Sequence, residues 1–361
     1  MTIMFDVYPE KYPELLATKI TELKNLFNDW PIPEIDVFES PPQHFRMRAE
    51  FRIWRSGEKI NYVMFSKDDK REPIVLNNFP RAHNAISELM QPLLESIEKN
   101  DVLRIRLFQI DFLCSLAGEI LVTLIYHKKL TDEWLEKAKE LEKCFSIKLI
   151  GRARKQKEIL SDDYILEKLT VNGKQFAYQQ VENSFTQPNA IICEKMLSWA
   201  VNNTQDCGGD LLELYCGNGN FTLALAQNFN RVLATEVSKT SVKSALYNMT
   251  LNNIDNIEIV RMSSEELTQA LNKERKFRRL ADIQLEEYQF STLFVDPPRA
   301  GLDEQTLKLA NQFENIIYIS CNPYTLVENL KQLANYKIDK LALFDQFPYT
   351  DHMECGVILK K

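Results

Sequence analysis

The stretch that decides the fold reads Asp-Leu-Leu-Glu-Leu-Tyr-Cys-Gly-Asn-Gly-Asn from Asp210 to Asn220. It opens with a short apolar run typical of a buried strand and closes with a turn that contains Gly217 and Gly219. Glycines between a strand and a helix let the backbone bend sharply and approach a ligand closely. We therefore predict a ligand-binding loop here, followed by a helix over 221–228. The alternative is a purely structural turn.

An acidic residue supports the prediction of a nucleoside site. Glu236 ends the next predicted strand, seventeen residues after Gly219, where a carboxylate can accept hydrogen bonds from both ribose hydroxyls of an adenosine. The dinucleotide fingerprint is incomplete, because Thr222 occupies the position of its third glycine. The loop also has no basic residue to offset a pyrophosphate. These features favour a cationic ligand such as S-adenosylmethionine, and a nicotinamide-dependent oxidoreductase stays open as an alternative.

The two halves of the chain have different patterns. From about residue 180 onward, strands predicted at 210–215, 231–236, 257–262, 291–295, 316–320 and 341–345 alternate with helices or turns. This order predicts an α/β, doubly wound parallel sheet with ligand sites at the C-terminal ends of its strands. The first half mixes strand-like and helical runs, an α+β pattern. We therefore predict a helical segment over 1–40, whose packing is left open, an α+β domain over 41–178 and a Rossmann-like domain over 179–361.

Charge and cysteine content restrict the class of protein. The 361 residues carry 44 Lys and Arg against 51 Asp and Glu, and a net charge of −7 argues against a sequence-blind nucleic-acid coat protein. The seven cysteines form no C-x-x-C pair, so no zinc ribbon, iron–sulfur cluster or other metal site is expected. No apolar run approaches the ~18 residues of a membrane span. The N-terminus lacks a signal-peptide pattern, and a cytoplasmic protein with reduced thiols is expected.

Two basic clusters lie in the first half of the chain. Residues 148–157 contain five cations and no acid, namely Lys148, Arg152, Arg154, Lys155 and Lys157. In residues 46–59, cations outnumber acids by three. Such clusters can contact phosphates even in an acidic protein, because salt screens charges beyond about 8 Å. We predict a track for RNA phosphates, with solvated surfaces as the alternative.

Three polar turns of the second half carry candidate chemistry. Asp296 precedes two prolines that stiffen its turn, and Cys321 lies in a Ser-Cys-Asn-Pro turn after an apolar strand. Both are expected at the same sheet edge as Glu236, and Glu354 precedes the final strand. A cysteine, a carboxylate and a methyl donor suffice to methylate C5 of uracil. The thiolate adds to C6, the enolate takes the methyl group at C5, and the base removes the C5 proton before the thiol leaves.

These residues resemble the RNA (uracil-C5)-methyltransferase family. The matching stretches, in the family's order, are 185–189, 212–220, Glu236, 296–299, 320–323 and 352–355. The stretches 45–54, 107–111 and 126–129 are similar to the bacterial tRNA branch, whose members form ribothymidine in the T-loop. The sequence lacks the TRAM domain and the four-cysteine iron–sulfur site of some relatives, which favours the tRNA branch over the ribosomal-RNA branch.

The resemblance implies a Rossmann-like S-adenosylmethionine-dependent methyltransferase domain preceded by an α+β RNA-binding domain. It implies that Cys321 is the nucleophile and Glu354 the proton acceptor. The predicted S-adenosylmethionine contacts are Gln187, Tyr215, Gly217, Asn220, Glu236 and Asp296.

The resemblance also implies a partner, the T-arm of tRNA. The predicted RNA contacts are Glu50, Arg52, Phe108 as a stacking residue, and His127, to which the basic cluster adds Arg152, Arg154 and Lys155. We expect a monomer that binds no membrane. The alternatives are another RNA with a T-loop-like hairpin, ribosomal RNA, and a non-catalytic RNA chaperone.

Overall fold

The structure, a computed structural model, describes residues 6–65 and 72–361, which form two compact units. The first contains the described residues up to Pro9, Pro41–Lys168 and Gln180–Ala190. The second contains Glu10–Ser40, Leu169–Gln179 and Ile191–Lys361. The N-terminal segment, whose packing was left open, thus groups with the second unit from Glu10 onward. The chain passes between the units several times, whereas boundaries after residues 40 and 178 were expected.

The strands are numbered in chain order. They are β1 (Ile35–Phe38), β2 (Arg48–Ser56), β3 (Lys59–Phe65), β4 (Pro73–Leu76), β5 (Leu107–Cys114), β6 (Ile120–Tyr126), β7 (Lys148–Ala153), β8 (Gln156–Ile159), β9 (Tyr164–Val171), β10 (Lys174–Val181), β11 (Asp210–Leu214), β12 (Val232–Thr235), β13 (Ile257–Val260), β14 (Phe290–Val295), β15 (Asn315–Ser320), β16 (Lys337–Phe344) and β17 (Glu354–Lys360).

The helices are numbered in the same way. They are α1 (Tyr12–Leu26), α2 (Asn84–Glu98), α3 (Asp101–Arg104), α4 (Asp132–Phe145), α5 (Ala190–Asn202), α6 (Asn220–Leu225), α7 (Lys239–Asn252), α8 (Ser264–Leu271), α9 (Glu304–Ala310) and α10 (Pro323–Gln332). Short 3-10 turns lie at Pro9–Lys11, Ala226–Asn228, Arg278–Leu280 and Leu285–Glu287.

The second unit is built on an eight-stranded sheet with the order β1-β16-β17-β15-β14-β11-β12-β13. Its neighbouring strands are parallel, except that β17 is antiparallel to both β15 and β16. Strands β11 and β12 are buried along their whole length, in agreement with their mostly apolar sequences. The edge strand β1 was not expected, because the proline-flanked run 31–38 lacks a clear strand pattern.

The first unit contains a seven-stranded sheet with the order β4-β3-β2-β5-β6-β7-β8. Only the β6–β7 pair is parallel. In β2, Ala49, Phe51 and Ile53 are buried, and the charged residues between them are exposed. The Phe51 ring contacts those of Tyr62, Phe79 and Phe112 at centroid distances of 5.3, 5.3 and 6.0 Å. This alternation of buried apolar and exposed charged residues identifies the core face of the sheet.

A separate two-stranded sheet is formed by β9 and β10. Residues 164–168 and 180–181 of these strands belong to the first unit, and residues 169–171 and 174–179 belong to the second. Strand β10 extends across the expected boundary after residue 178, and the chain changes unit within both strands.

Gly151 in β7 packs directly against the side chains of the core. A Cβ atom here would lie 2.3 Å from Cη2 of Trp134 and 2.6 Å from Cδ1 of Leu130. The Trp134 side chain is fully buried in α4, so it has little room to move. Glycine is therefore required at this position by packing.

We predict that Gly151→Ala lowers the free energy of unfolding by about 1–3 kcal/mol, the usual loss from overpacking a core. Denaturant unfolding followed by circular dichroism measures this loss. In a Trp134→Phe background the clashing part of the ring is absent, so the same replacement should be less destabilising. Equal losses in the two backgrounds would contradict the overpacking explanation.

Candidate functional site

The glycine-containing loop joins β11 to α6 by a sharp turn. Tyr215, Gly217 and Gly219 have φ angles of 64°, 56° and 83°, which place all three in the left-handed region. The N–H of Gly219 donates to the carbonyl of Cys216 over 2.9 Å, which closes the turn. A Cβ at Gly219 would lie 2.5 Å from Cδ1 of Leu223. Gly219 is thus needed both for its φ angle and for the close approach of α6.

Glu236 lies directly after β12 and links two loops at the sheet edge. Its Oε2 accepts the N–H of Gly217 over 3.1 Å, and its Oε1 accepts the N–H of Ser238 over 2.7 Å. Beside it, the hydroxyl groups of Tyr215 and Ser264 are 2.9 Å apart. Each carboxylate oxygen has two lone pairs, so Glu236 keeps acceptor capacity for a further donor.

The register of the parallel strands gathers three predicted residues at one edge. Leu214 pairs with both Thr235 and Val295, the last residues of their strands. The next residues along these three strands are Tyr215, Glu236 and Asp296. Their common position at the C-terminal ends of parallel strands is where open α/β sheets bind ligands.

Cys321 and Glu354 come together through the antiparallel strand. Ser320 of β15 pairs with Cys355 of β17. The next residue forward on β15 is Cys321 and the next residue back on β17 is Glu354, so antiparallel pairing brings them side by side. Cys321 is half-buried, whereas Glu354 is only 3% exposed. The structure therefore places the two predicted catalytic residues next to each other.

Acidic groups determine the electrostatics at this edge. Burial, followed by the charges of Glu354 and Asp296, raises the pKa of the Cys321 thiol to about 11, and the charge of Arg299 opposes this rise. Burial, followed by the charge of Asp296, holds the pKa of Glu354 well above its usual value. Burial also raises the pKa of Asp296. Without a bound cation, the thiol and carboxyl groups at this edge thus keep their protons to higher pH than they would in water.

Glu213 belongs to the same acidic group and was not singled out from the sequence. It lies inside β11, where burial and then the charge of Asp296 raise the pKa of its carboxyl group to about 8. Its Oε2 accepts no hydrogen bond from any residue that the structure describes. Its position in the buried apolar run before the loop is the signal that would have identified it.

Asn220 begins α6 and contacts two buried side chains. Its Nδ2 lies 3.2 Å from Sγ of Cys193 in α5, and its carbonyl accepts the hydroxyl of Tyr178 over 3.0 Å. The loop is also held by Asn248 of α7, whose Nδ2 donates to the carbonyl of Asn218 over 2.9 Å. Asn248 is fully buried, and no sequence pattern around it indicates this role.

Gln187, the remaining predicted cofactor contact, lies in the 180–190 segment that groups with the first unit. This segment is tied to β2, since Arg48 donates through Nη1 to the carbonyl of Glu182 and through Nη2 to that of Ser184. The residue that follows Gln187, Pro188, accepts the N–H of Met47 over 2.8 Å. The cofactor contact of Gln187 stays a prediction.

In the first unit, three of the predicted RNA contacts form a column of stacked groups. The guanidinium carbon of Arg52 lies 3.9 Å from the ring centroid of Phe108. The ring of His127 stacks on Phe108 at 4.0 Å with an interplanar angle of 25°. Because β2 and β6 flank β5, the phenyl ring lies between the cation and the imidazole. Phe108 occupies the bulge where the β5–β6 register shifts.

The other predicted RNA contacts differ in whether they are exposed or engaged in an ion pair. Glu50 is exposed on β2 opposite Asp111, whose pKa burial raises to about 6. Arg154 and Lys155 are exposed in the turn between β7 and β8. Arg152 instead makes two hydrogen bonds of 2.6 Å to the carboxylate of Glu182.

The prediction that residues 148–157 carry a local excess of five positive charges is wrong, because acidic residues from elsewhere in the chain pair with several of these cations. Lys148 pairs with Glu119 and Asp162, and Lys157 pairs with Asp163 and Glu182. These acids come from other segments of the chain, so a window of sequence could not count them. The exposed positive charge of the cluster is concentrated at Arg154 and Lys155.

Two further findings concern the described part of the chain. Among residues 6–65 and 72–361, no three His, Cys, Asp or Glu side chains are grouped so that they could hold a metal ion. In the same residues, no helix has the length and apolar character needed to cross a membrane.

The doubly wound sheet, with its glycine loop and with Tyr215, Glu236 and Asp296 at its strand ends, has the architecture of the Rossmann-like, S-adenosylmethionine-dependent methyltransferases. The family model for tRNA (uracil-5-)-methyltransferases matches residues 11–361. The chain belongs to that family.

Relatives match nearly the full chain. This chain is 55% identical over 364 residues to a tRNA/tmRNA (uracil-C(5))-methyltransferase of Vibrio parahaemolyticus, and the alignment covers 99% of this chain and 98% of the relative. A protein of the same name from Cellvibrio japonicus is 56% identical over 351 residues, covering 97% and 96%. The solved Pyrococcus abyssi tRNA (uracil-54, C5)-methyltransferase in complex with S-adenosyl-L-homocysteine has a TM-score of 0.74 at 22% identity, covering 96% of this chain and 83% of that one. This last similarity supports the fold.

These comparisons decide between the classes left open by the sequence. The predicted family, the Rossmann-like methyltransferase fold, the enzyme class and the methyl donor are confirmed. The nicotinamide-dependent oxidoreductase is excluded, because the family match extends over both the glycine loop and the first unit. The roles of individual residues stay predictions.

We predict that the pH midpoint for alkylation of Cys321 by iodoacetamide lies near 11 in the free protein, since the thiolate is the reactive form. Below that midpoint the rate should rise about tenfold per pH unit. Glu354→Gln removes a negative charge beside the thiol and should lower the midpoint. Mass spectrometry of the Cys321 peptide measures the rate, with exposed Cys144 as internal reference. An unchanged midpoint in Glu354→Gln would contradict the electrostatic coupling.

Proposed function

We propose that this enzyme transfers a methyl group from S-adenosylmethionine to C5 of the T-loop uridine of tRNA, through a covalent bond between Cys321 and C6 of the uracil. The observation that carries the proposal is the pairing of β15 and β17, which puts a half-buried thiol beside a buried carboxylate. The names of the relatives, tRNA/tmRNA methyltransferases, support tmRNA as a second substrate. The neighbour named for uracil-54 supports position 54 as the target.

The methyl donor binds at the strand ends in this proposal. Glu236 accepts the ribose hydroxyls, and the backbone of Gly217 lets the nucleoside approach the loop. Tyr215, Asn220 and Asp296 contact the rest of the donor, and Gln187 joins them from its own segment. The sulfonium and ammonium groups are cationic, so an edge that gathers buried carboxyl groups favours them over a neutral or anionic ligand.

The reaction uses two protein groups on one ring. The thiolate of Cys321 forms a bond to C6, and the electron pair of the C5–C6 double bond moves to the enolate. C5 then attacks the methyl carbon, whose bond to the sulfonium breaks to leave neutral S-adenosylhomocysteine. Glu354 accepts the C5 proton, the double bond reforms, and the thiolate of Cys321 leaves. The base thereby ends protonated and the cysteine is regenerated.

The positive charge of the methyl donor favours the thiolate form of Cys321. In the free protein, neighbouring acidic groups oppose thiolate formation at Cys321. A cation bound against Asp296 offsets that repulsion and lowers the pKa of the thiol. The cysteine therefore becomes reactive when the methyl donor is present, which avoids adduct formation that cannot continue to methyl transfer.

The target uridine must leave the T-loop stack to reach a cysteine, which costs a few kcal/mol. The column of Arg52, Phe108 and His127 is suited to offset this, since stacking a base contributes about 1–3 kcal/mol. Both faces of Phe108 are covered by its neighbours, so an RNA base stacks on an end of the column or replaces one partner. Arg154, Lys155 and Glu50 lie on the exposed surface of the same unit and contact the backbone or bases of the T-arm.

The test uses a T-arm hairpin that contains 5-fluorouridine at the target position, mixed with enzyme and S-adenosylmethionine. Fluorine replaces the proton that Glu354 removes, so a covalent enzyme–RNA complex should accumulate on denaturing gels. Cys321→Ala should form none, and Cys144→Ala should behave as wild type. The mechanism would be overturned by either of two results. One is that wild type methylates the unmodified hairpin but forms no complex with the 5-fluorouridine hairpin, and the other is that Cys321→Ala forms the complex. Methylation mapped to a uridine outside the T-loop would overturn the substrate assignment.

We predict that Phe108→Ala weakens T-arm binding by about 5- to 150-fold, the equivalent of about 1–3 kcal/mol of base stacking. Affinity for S-adenosylmethionine, measured by calorimetry, should change less than twofold. Trp54→Ala is the matched control, since Trp54 is another exposed aromatic residue of this sheet outside the column. Equal losses of RNA and cofactor affinity in Phe108→Ala, or an equal loss of RNA affinity in Trp54→Ala, would contradict the stacking role.

A further inference from the structure

Helix α1 carries a lysine on the face where its sequence pattern calls for an apolar residue. The buried positions of α1 are Tyr12, Leu16, Lys19 and Leu23, a helical spacing that faces the core. Lys19 is only 6% exposed. A charge that is removed from water is strongly unfavourable unless it is paired and hydrogen-bonded, so its partners explain its presence.

Both partners of Lys19 lie in the connection that leads to Glu354. Its Nζ donates to Oδ1 of Asp345 over 2.7 Å and to the carbonyl of Phe347 over 2.9 Å. These residues begin the segment 345–353, which joins β16 to β17 and ends immediately before Glu354. The rings of Tyr12 and Tyr349 add a contact to the same segment at a centroid distance of 6.2 Å.

One turn further along α1, a second contact reaches the segment that carries Cys321. Oε1 of Glu22 accepts the hydroxyl of Tyr324 over 2.5 Å. Tyr324 lies in the first turn of α10, whose N-cap is Asn322, the residue after Cys321. The Asn322 side chain accepts the N–H of Tyr324 over 3.2 Å, which joins the turn and the helix.

We propose that α1 is a brace that positions Cys321 and Glu354 relative to each other, with Lys19 and Glu22 as its positioning residues. The inference rests on the proposed function and goes beyond it, since neither residue touches the reacting atoms. Lys19 holds the segment before Glu354, and Glu22 holds the helix after Cys321. Because the two contacts lie on one rigid helix, they keep a fixed separation between two loops that no peptide bond joins.

The brace acts on two different steps of the reaction. Loosening the Glu22–Tyr324 contact displaces Cys321 and slows its addition to C6. Loosening the Lys19–Asp345 contact displaces Glu354 and slows removal of the C5 proton, which must precede release of the RNA. A displacement of about 1 Å can slow a positioned reaction by roughly 100-fold, so modest changes at these contacts are measurable.

The first arm of the test uses Tyr324→Phe, which removes one hydroxyl from an exposed ring. The rate constant for complex formation with 5-fluorouridine hairpin should fall at least about tenfold, with cofactor and RNA affinities and the unfolding midpoint unchanged. The matched control is Glu328→Gln, which breaks an exposed contact between Glu328 and Lys331 within the same helix. An unaltered rate in Tyr324→Phe, or an equal fall in the control, would overturn the role of Glu22.

The second arm uses the double variant Lys19→Met with Asp345→Asn, which removes both buried charges together and leaves neither unpaired. With an unmodified uridine hairpin, this variant should accumulate the covalent complex, because addition and methylation proceed while proton removal is slow. Wild type and Tyr324→Phe should not accumulate it. A merely structural role would lower the unfolding midpoint without trapping the complex, and that outcome would overturn the role of Lys19.

These results separate the brace from the proposed function. If wild type forms no complex with the 5-fluorouridine hairpin, the covalent mechanism fails, and the brace fails with it. If wild type forms the complex and both variants match it in formation and release, the covalent mechanism stands and the brace alone is wrong.

Discussion

Strand β17 runs against both of its neighbours, and this reversal puts its first residue at the edge where the parallel strands end. In a wholly parallel sheet, a residue that begins a strand lies at the opposite edge from a residue that follows one. Glu354 begins β17 and Cys321 follows β15, so only the antiparallel pairing brings them together. The proposed chemistry depends on this direction more than on any single hydrogen bond.

The same edge concentrates acidic groups, and this explains why the site suits a cationic methyl donor. Besides burial, the charge of Asp296 raises the pKa of Glu213, Glu354 and Cys321, and that of Glu354 also raises the pKa of Cys321. None of the three carboxyl groups is compensated by an ion pair among the described residues. Such an arrangement is unfavourable in the free protein. In the proposed function, a bound sulfonium relieves this repulsion, which contributes to affinity for the donor and to the reactivity of the thiol.

In the first unit, several charged side chains are compensated by ion pairs. Several of its cations are paired, namely Arg152 with Glu182, and Lys148 with Glu119 and Asp162. Arg52 is instead stacked on Phe108, where it presents a flat, charged surface. This arrangement agrees with the proposal that the unit recognises bases by stacking and contacts phosphates at a few points, which a protein of net charge −7 requires.

The sequence alone determined the class of sheet, the glycine loop, the acid after the second strand of that sheet, and the family, because each depends on residues close together in the chain. Local order also identified Cys321, Asp296 and Glu354 as members of one family pattern. The tertiary structure alone decided the pairing of β15 with β17, the neutralisation of the 148–157 cluster by distant acids, and the attachment of α1 to both loops. These features depend on contacts between residues far apart in sequence, such as Lys19 and Asp345, and a local pattern contains no information about which distant residue will fill the space beside it.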